Sequence, residues 1–302
     1  MGKEKERERM DLGKFIECTE HTGILGVKIS QNGRDIGKHL WDDECRRNVY
    51  SASKSFTSAA VGIAVREGLL SLDEKLVEAF SKDLPGEVNE YLEQATVRDL
   101  LTMCLGQEEA QLMGAQRPLY QEEDWVKMCL AFPFTCQPGT KFVYNNVGPY
   151  LAGVLVQRRA GCDLVSYLMP RLFRPLGIHR PTWETDPLGY TFGAGGLFLT
   201  LSELHKLGLL YLQDGMWDGR QLVPGEWVAE SLKAQVPTGH AEDYGYGYLF
   251  WGGPQGSFRA DGKYLQLSII LRDKNAVIST VAECRNGKPL MDAIFQELYP
   301  QL

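Results

Sequence analysis

The 302-residue chain has no run of the roughly 18 uninterrupted apolar residues that a membrane-spanning helix requires. Its first ten residues, MGKEKERERM, mix charges of both signs with no apolar stretch. They read as neither a signal peptide nor an anchor, so a cytoplasmic protein with no membrane partner is expected. A basic excess is missing too. Lys and Arg number 32 against 39 Asp and Glu, a net charge of −7, which leaves no cationic stripe for a phosphate backbone and argues against nucleic acid as a partner. The seven cysteines (Cys18, Cys45, Cys104, Cys129, Cys136, Cys162, Cys284) are odd in number and never spaced C-x-x-C, which suits reduced thiols and not a structural zinc site. The five histidines form no i,i+4 pair. No metal and no cofactor are therefore expected. The glycine-rich stretch 193–197 lacks both G-x-G-x-x-G and G-K-[ST], so it is not read as a phosphate loop.

What is present is an ordinary globular composition, 44% hydrophobic and 24% charged, on a chain long enough for a large core. Residues 23–30 and 34–41 predict two strands joined at Asn32-Gly33, a strong hairpin signal. Next, Phe56, Ala59, Ala60, Ile63 and Ala64 recur at helical spacing in a helix expected to start near Ser51 and stop at Arg66-Glu67-Gly68. From about 72 to 180 the patterns are mostly helical, at 97–103, 122–132, 147–160 and 164–173. A further helix is expected over 202–213. Strand patterns return in the last third, over 244–251, 255–262, 264–271 and 276–282, before a closing helix at 289–298. Strands, then helices, then strands predict a helical domain inserted into an α/β domain. The expected parts are a charged leader 1–14, a mixed α/β domain 15–72 with 181–302, and a helical insertion 73–180.

Two clusters carry chemistry. In Ser51-Ala52-Ser53-Lys54 a hydroxyl and an amine stand three residues apart, on one face of a helix. A serine becomes a nucleophile when an adjacent base takes its proton, and a helix start aims unpaired N–H groups at a developing oxyanion. A lone serine before a helix is more often a cap. Tyr144-Asn145-Asn146, before the 147–160 helix, places a phenol and a carboxamide two residues apart; here too Tyr144 packing its ring and Asn146 capping is an equal reading.

Together these clusters change the balance. They are the chain's only S-x-x-K and only Y-x-N, in that order, and the segments 95–103, 138–146, 173–178 and 195–197 add framework. In these the chain resembles the penicillin-recognising serine hydrolases, in the branch of class C β-lactamases, D-alanyl-D-alanine peptidases and related esterases and amidases. The resemblance implies an α+β fold: an antiparallel sheet flanked by helices and built from both chain ends, with an inserted all-helical domain and the site between. It implies Ser51 as nucleophile, Lys54 as the partner that accepts or relays its proton, Tyr144 as second base and later acid, and Asn146 orienting substrate or Lys54. The family's third motif, usually K-T-G or H-x-G, is best matched by Ala260-Asp261-Gly262, followed by Lys263. Gly262 permits close approach, so the Lys263 N–H would complete the oxyanion hole. Ala260 offers no charge for a substrate carboxylate, and Asp261, facing the cleft, would repel one.

The expected function is therefore hydrolysis of a small ester or amide through an acyl-enzyme, by an esterase or amidase rather than an efficient β-lactamase. The alternatives are β-lactamase or D-alanyl-D-alanine peptidase activity, or a non-catalytic penicillin-binding sensor on the same fold. The aromatic residues Tyr120, Trp125, Tyr244, Tyr246, Tyr248 and Trp251 are candidates to line a cleft.

Overall fold

The computed structural model describes residues 9–302. Most of the leader expected over 1–14 lies outside the described residues. At its end the chain is already tied down, the Met10 N–H donating to Ile36 O at 2.9 Å before the helix Gly13–Thr19.

The described residues form ten strands: β1 (Ile24–Gln31), β2 (Arg34–Leu40), β3 (Arg47–Asn48), β4 (Phe198–Leu199), β5 (Met216–Trp217), β6 (Arg220–Gln221), β7 (Trp251–Gly252), β8 (Phe258–Gly262), β9 (Gln266–Leu271) and β10 (Ala276–Ala282). Six form one sheet in the order β2-β1-β10-β9-β8-β7, antiparallel throughout. The first two strands thus pair with the last ones, and both chain ends build the sheet. Asn32 and Gly33 both take positive φ in the β1–β2 turn, as the Asn-Gly signal requires.

Every residue of β9 and β10 is buried, because both faces of the sheet are covered. On one face lies the helix Leu201–Leu212, started by a capping box between Thr200 and Glu203. It buries Leu204, Leu207 and Leu210, each contributing roughly 1.5–3 kcal/mol relative to exposure. On the other face Phe15 of the helix Gly13–Thr19 meets Leu290, Ile294 and Leu298 of the closing helical segment over Val27, Ile269 and Ile278. The larger cluster surrounds the helix Ser53–Arg66, which buries twelve of its fourteen residues and packs on the helix Val147–Ala160. Gly62 makes one such approach possible: a Cβ there would fall 2.4 Å from the Trp227 ring.

The expected architecture is present, with local differences. The α-helix begins at Ser53, so Ser51 sits in the middle of a separate 3-10 turn, Tyr50–Ala52. The segment predicted as a strand over 244–251 is mostly irregular, with only Trp251 in β7 and an isolated bridge at Tyr246. Its aromatic alternation reflects burial of Tyr246, Tyr248 and Phe250 in the core. Tyr264 and Leu265, predicted inside a strand, form the β8–β9 turn with φ of 65° and 68°. No helix among the described residues is long and apolar enough to cross a membrane.

Candidate active site

The Ser51 turn is fixed from several sides. Tyr50 takes φ 47°, a left-handed conformation unusual for a bulky residue, and its N–H donates to Asn48 Oδ1 at 2.7 Å. The Val49 N–H donates to Leu197 O at 2.8 Å, and the Leu197 N–H to Ser53 Oγ at 3.1 Å, which ties the turn to the glycine-rich loop. Thr57 Oγ1 donates to Gly193 O at 2.8 Å one helical turn on. Hydroxyls on the buried helix thereby hold the loop that carries Ala194.

Lys54 is only 1% exposed. Its Nζ lies 2.9 Å from Ser51 Oγ, 2.7 Å from Asn146 Oδ1 and 2.7 Å from Ala194 O. The Asn146 orientation follows from its other end, because Nδ2 donates to Leu112 O at 2.8 Å and Oδ1 must then face the amine. Burial first, and then the neighbouring Arg117 guanidinium, push the Lys54 amine down to about 7. A neutral amine has two N–H groups and one lone pair. The carbonyls of Asn146 and Ala194 can only accept, so they take both N–H groups and the lone pair is left for the Ser51 hydroxyl.

Asn146 is free for this because its neighbour does the capping. Asn145 Oδ1 accepts from the Gly148 N–H at 3.1 Å at the start of the Val147–Ala160 helix, while Asn146, at the N-cap position, makes no side-chain cap bond. The capping expected of Asn146 is thus shifted by one residue. Tyr144 places its ring 5.1 Å from Lys54 Nζ and 5.1 Å from the Trp251 ring. Burial raises the Tyr144 phenol above its ordinary range and the Asp261 carboxylate adds to this, against the pull of the Ser51 hydroxyl and the Trp251 indole. Desolvation therefore favours the phenol over the phenolate that the role of second base, implied by the resemblance, would require.

A cleft of ≈ 1320 Å³ opens over these groups, lined by Ser51, Tyr144 and Asn146 together with Asp261 and Lys263. Gly262 packs against the Ser51 turn: a Cβ there would fall 2.1 Å from Val49 O. β8 can approach Ser51 only with glycine at that position. Ala260 is buried. Asp261 does face the cleft, but Arg259, on the same face of β8, donates from Nε to its Oδ2 at 2.8 Å, so the repulsion expected from a bare carboxylate is offset. Lys263 is exposed, with Nζ 4.8 Å from the Tyr264 ring centroid. Of the aromatic candidates, Tyr244 and Trp251 line the cleft, whereas Trp125, Tyr246 and Tyr248 are buried and the Tyr120 hydroxyl donates to Gln111 Oε1 at 3.1 Å. Sequence reasoning missed Arg117 and the Ala194 carbonyl. Arg259 had a readable signal, since residues two apart on a strand share a face.

The two-ended antiparallel sheet with helices inserted between its strands defines the β-lactamase and penicillin-binding-protein class of folds. The Beta-lactamase family model matches residues 19–296, and the chain belongs to that family. It is 25% identical over 273 residues to an uncharacterised protein of Alkalihalophilus pseudofirmus, covering 80% of this chain and 74% of that one. It is also 25% identical over 201 residues to the acyltransferase mokF of Monascus pilosus, covering 57% of this chain and 48% of the relative. Among solved structures, one from Bacillus anthracis, provisionally assigned as a 6-aminohexanoate-dimer hydrolase, superposes with a TM-score of 0.80 at 19% identity, covering 94% of this chain and 80% of that one. A penicillin-binding protein from Bacillus halodurans gives 0.74 at 19%, with coverage of 95% and 99%. EstCE1, a hydrolase with promiscuous acyltransferase activity, gives 0.76 at 15%, with coverage of 94% and 97%.

Proposed function

We propose that the protein is a serine hydrolase that cleaves a small ester or amide through an acyl-enzyme on Ser51. The observation that carries this reading is the Lys54 amine, buried, with both its N–H groups taken by carbonyls and its lone pair left to the Ser51 hydroxyl at 2.9 Å. Ser51 Oγ attacks the substrate carbonyl carbon as its proton passes to Lys54, and the carbonyl electron pair becomes the oxyanion. The Ser51 and Lys263 N–H groups receive that charge, one from the 3-10 turn and one from the end of β8. Collapse reforms the carbonyl and breaks the bond to the leaving group, which takes a proton from Tyr144; the phenol is replenished from protonated Lys54. Water then attacks the acyl-enzyme by the reverse route and frees Ser51. Because Tyr144 is held as a phenol at neutral pH, its first act is as an acid, with Lys54 the initial base.

The lack of a cation at Ala260 supports esters and amides over β-lactams as substrates. The test is labelling by a fluorophosphonate probe together with hydrolysis of p-nitrophenyl acetate, in the wild type and in Ser51→Ala. Turnover and labelling that both vanish in the variant are expected. Stable labelling with no turnover would instead identify a sensor, and the absence of Ser51-dependent labelling would sink both readings.

A further inference from the structure

Four cations line the cleft: Arg117, Arg259, Lys263 and Lys288. Arg259 is tied to Asp261 and to Gly252 O, and Lys288 to Asp292, while Lys263 is exposed to water. Arg117 differs from all three. Its guanidinium lies 4.5 Å above the Phe192 ring, and its Nη1 donates to Glu184 Oε2 at 3.0 Å. Its Nε is shut off from solvent without any hydrogen-bond partner. Among the described residues Nη2 has none either.

The support beneath Arg117 is built. The Glu184 N–H donates to Gly196 O at 2.9 Å and its carbonyl accepts from the Phe192 N–H at 2.8 Å. Glu184 therefore sits on the same loop as the ring under the guanidinium. Gly196 leaves room for the carboxylate, since a Cβ there would lie 2.5 Å from Glu184 Oε2. Stacked from below and anchored at one nitrogen, the planar group is held in a fixed orientation. Nη2 is left over and, unlike the sealed Nε, is open to the cleft. Nη2 carries two N–H donors and positive charge, and a charge-assisted hydrogen bond to a carboxylate oxygen is the contact this guanidinium has left to make.

We infer that Arg117 is an anion subsite of the cleft, and that the ester or amide cleaved at Ser51 carries a carboxylate beyond its scissile bond, which docks on Nη2. The inference rests on Ser51 being the nucleophile. It places the anion contact on the wall opened by the Arg117 turn and Phe192, not on β8, where Ala260 has no charge. Substrates of this class are half-esters and half-amides of short dicarboxylic acids, or esters whose alcohol part carries an acid.

The test compares matched pairs: mono-p-nitrophenyl glutarate against p-nitrophenyl butyrate, and 4-acetoxybenzoate against phenyl acetate. The quantity read is the ratio of kcat/KM, anionic over neutral, within each pair. Any effect of Arg117 on Lys54 is common to both members and cancels. In the wild type at least one ratio should exceed unity, and Arg117→Met should lower it by roughly 10- to 100-fold, the usual worth of a hydrogen bond to a charged group. Arg117→Lys, which keeps the charge and loses the planar group, should restore part of it. Ratios below unity in the wild type, or unchanged in Arg117→Met, overturn the inference. Failure of the nucleophile reading looks different, as absence of Ser51-dependent turnover of all four esters. The subsite is then read without turnover, by titrating glutaric acid monoamide and butyramide into Ser51→Ala protein and following tryptophan fluorescence. Tighter binding of the monoamide that is lost in Arg117→Met supports the subsite, and equal binding of the two overturns it.

Discussion

Lys54 decides how the site responds to pH. Its amine titrates at about 7 because burial and the Arg117 charge both disfavour the protonated form, and only the neutral form has a lone pair for Ser51. The kcat/KM for a neutral ester should therefore rise through about pH 7 and then level off. With the Tyr144 phenol raised, no descending limb is expected below about pH 10, the ordinary value for tyrosine. In Arg117→Met the ascending limb should move to higher pH, because a cation that holds the amine down is gone; an unmoved limb would assign it to another group. Lys54→Ala and Tyr144→Phe should each cost several orders of magnitude in kcat, and the double variant little more, since in the proposed relay one proton passes through both residues. Fully additive losses would refute the shared relay. The grouping of Ser51 with Lys54 and of Tyr144 with Asn146 was legible in the sequence because each pair is local, three residues apart across a 3-10 turn and the helix start, and two apart at a turn. The Ala194 carbonyl and Arg117 were not, since neither is defined until the glycine-rich loop and the Arg117 turn are brought to the same amine from 140 and 63 residues away.

Elements explain why the Ser51 turn stays in place. The β8–β9 connection is three residues long, from Gly262 paired with Gln266, and two of its residues, Tyr264 and Leu265, are left-handed without being glycine. Such conformations cost roughly 1–2 kcal/mol each and persist where surrounding contacts over-determine them. Those contacts are present: the Tyr264 ring meets the Tyr50 ring edge-on at 5.5 Å, and the Leu265 carbonyl accepts from Thr280 Oγ1 at 2.8 Å. Tyr50 is itself left-handed and precedes Ser51, so one aromatic contact links the two strained turns that present the Ser51 and Lys263 N–H groups. Tyr264→Gly removes both strain and ring, and its stability should stay within about 1–2 kcal/mol of wild type because the two effects oppose one another. Its kcat should nonetheless fall about tenfold or more with KM little changed, the signature of a contact made in the transition state. Tyr264→Phe, which keeps the ring, should restore the rate. Wild-type kcat in Tyr264→Gly would sink the idea. Sequence periodicity read these two residues as strand because their side chains are apolar or aromatic, and φ sign leaves no trace in such a pattern unless a glycine or asparagine marks it. The β1–β2 turn was legible because Asn32-Gly33 carries that mark.

Across the whole molecule, the strand–helix–strand order of the elements made an α/β fold with a helical insertion legible, whereas the single antiparallel sheet built from both chain ends was implied by the family resemblance. The polar centre that locks the sheet to the helix Leu201–Leu212 was not legible, since its members come from three distant segments. His205 lies fully buried on that helix, with Nε2 2.7 Å from Ser30 Oγ and Nδ1 2.9 Å from Ser279 Oγ. Ser30 donates to Asp35 Oδ1 at 2.5 Å, so its oxygen accepts from His205 Nε2–H, and Nδ1 is left to accept from Ser279. Both ring nitrogens are thereby satisfied in the neutral state. Burial, with the nearby Lys28 charge, pushes the imidazole down to about 3, while Asp35 pulls the other way. The native protein therefore stays unprotonated at His205 between about pH 6.5 and 3 while the unfolded chain takes up a proton, and the stability this group contributes above pH 6.5 is lost as the pH falls through that window. The separation of the two values corresponds to an order of about 5 kcal/mol, comparable with the whole stability of many domains. Lys54 acts in a second window. Its native value near 7 lies below the unfolded 10.5, so its contribution to stability should rise with pH between those values. Urea unfolding of wild type, His205→Gln and Lys54→Met across pH 4–10 separates the two, because each difference curve against wild type should slope only in its own window. A flat difference for His205→Gln below pH 6.5 would mean that the imidazole is protonated in the native state and that the sheet and helix are held together by other contacts.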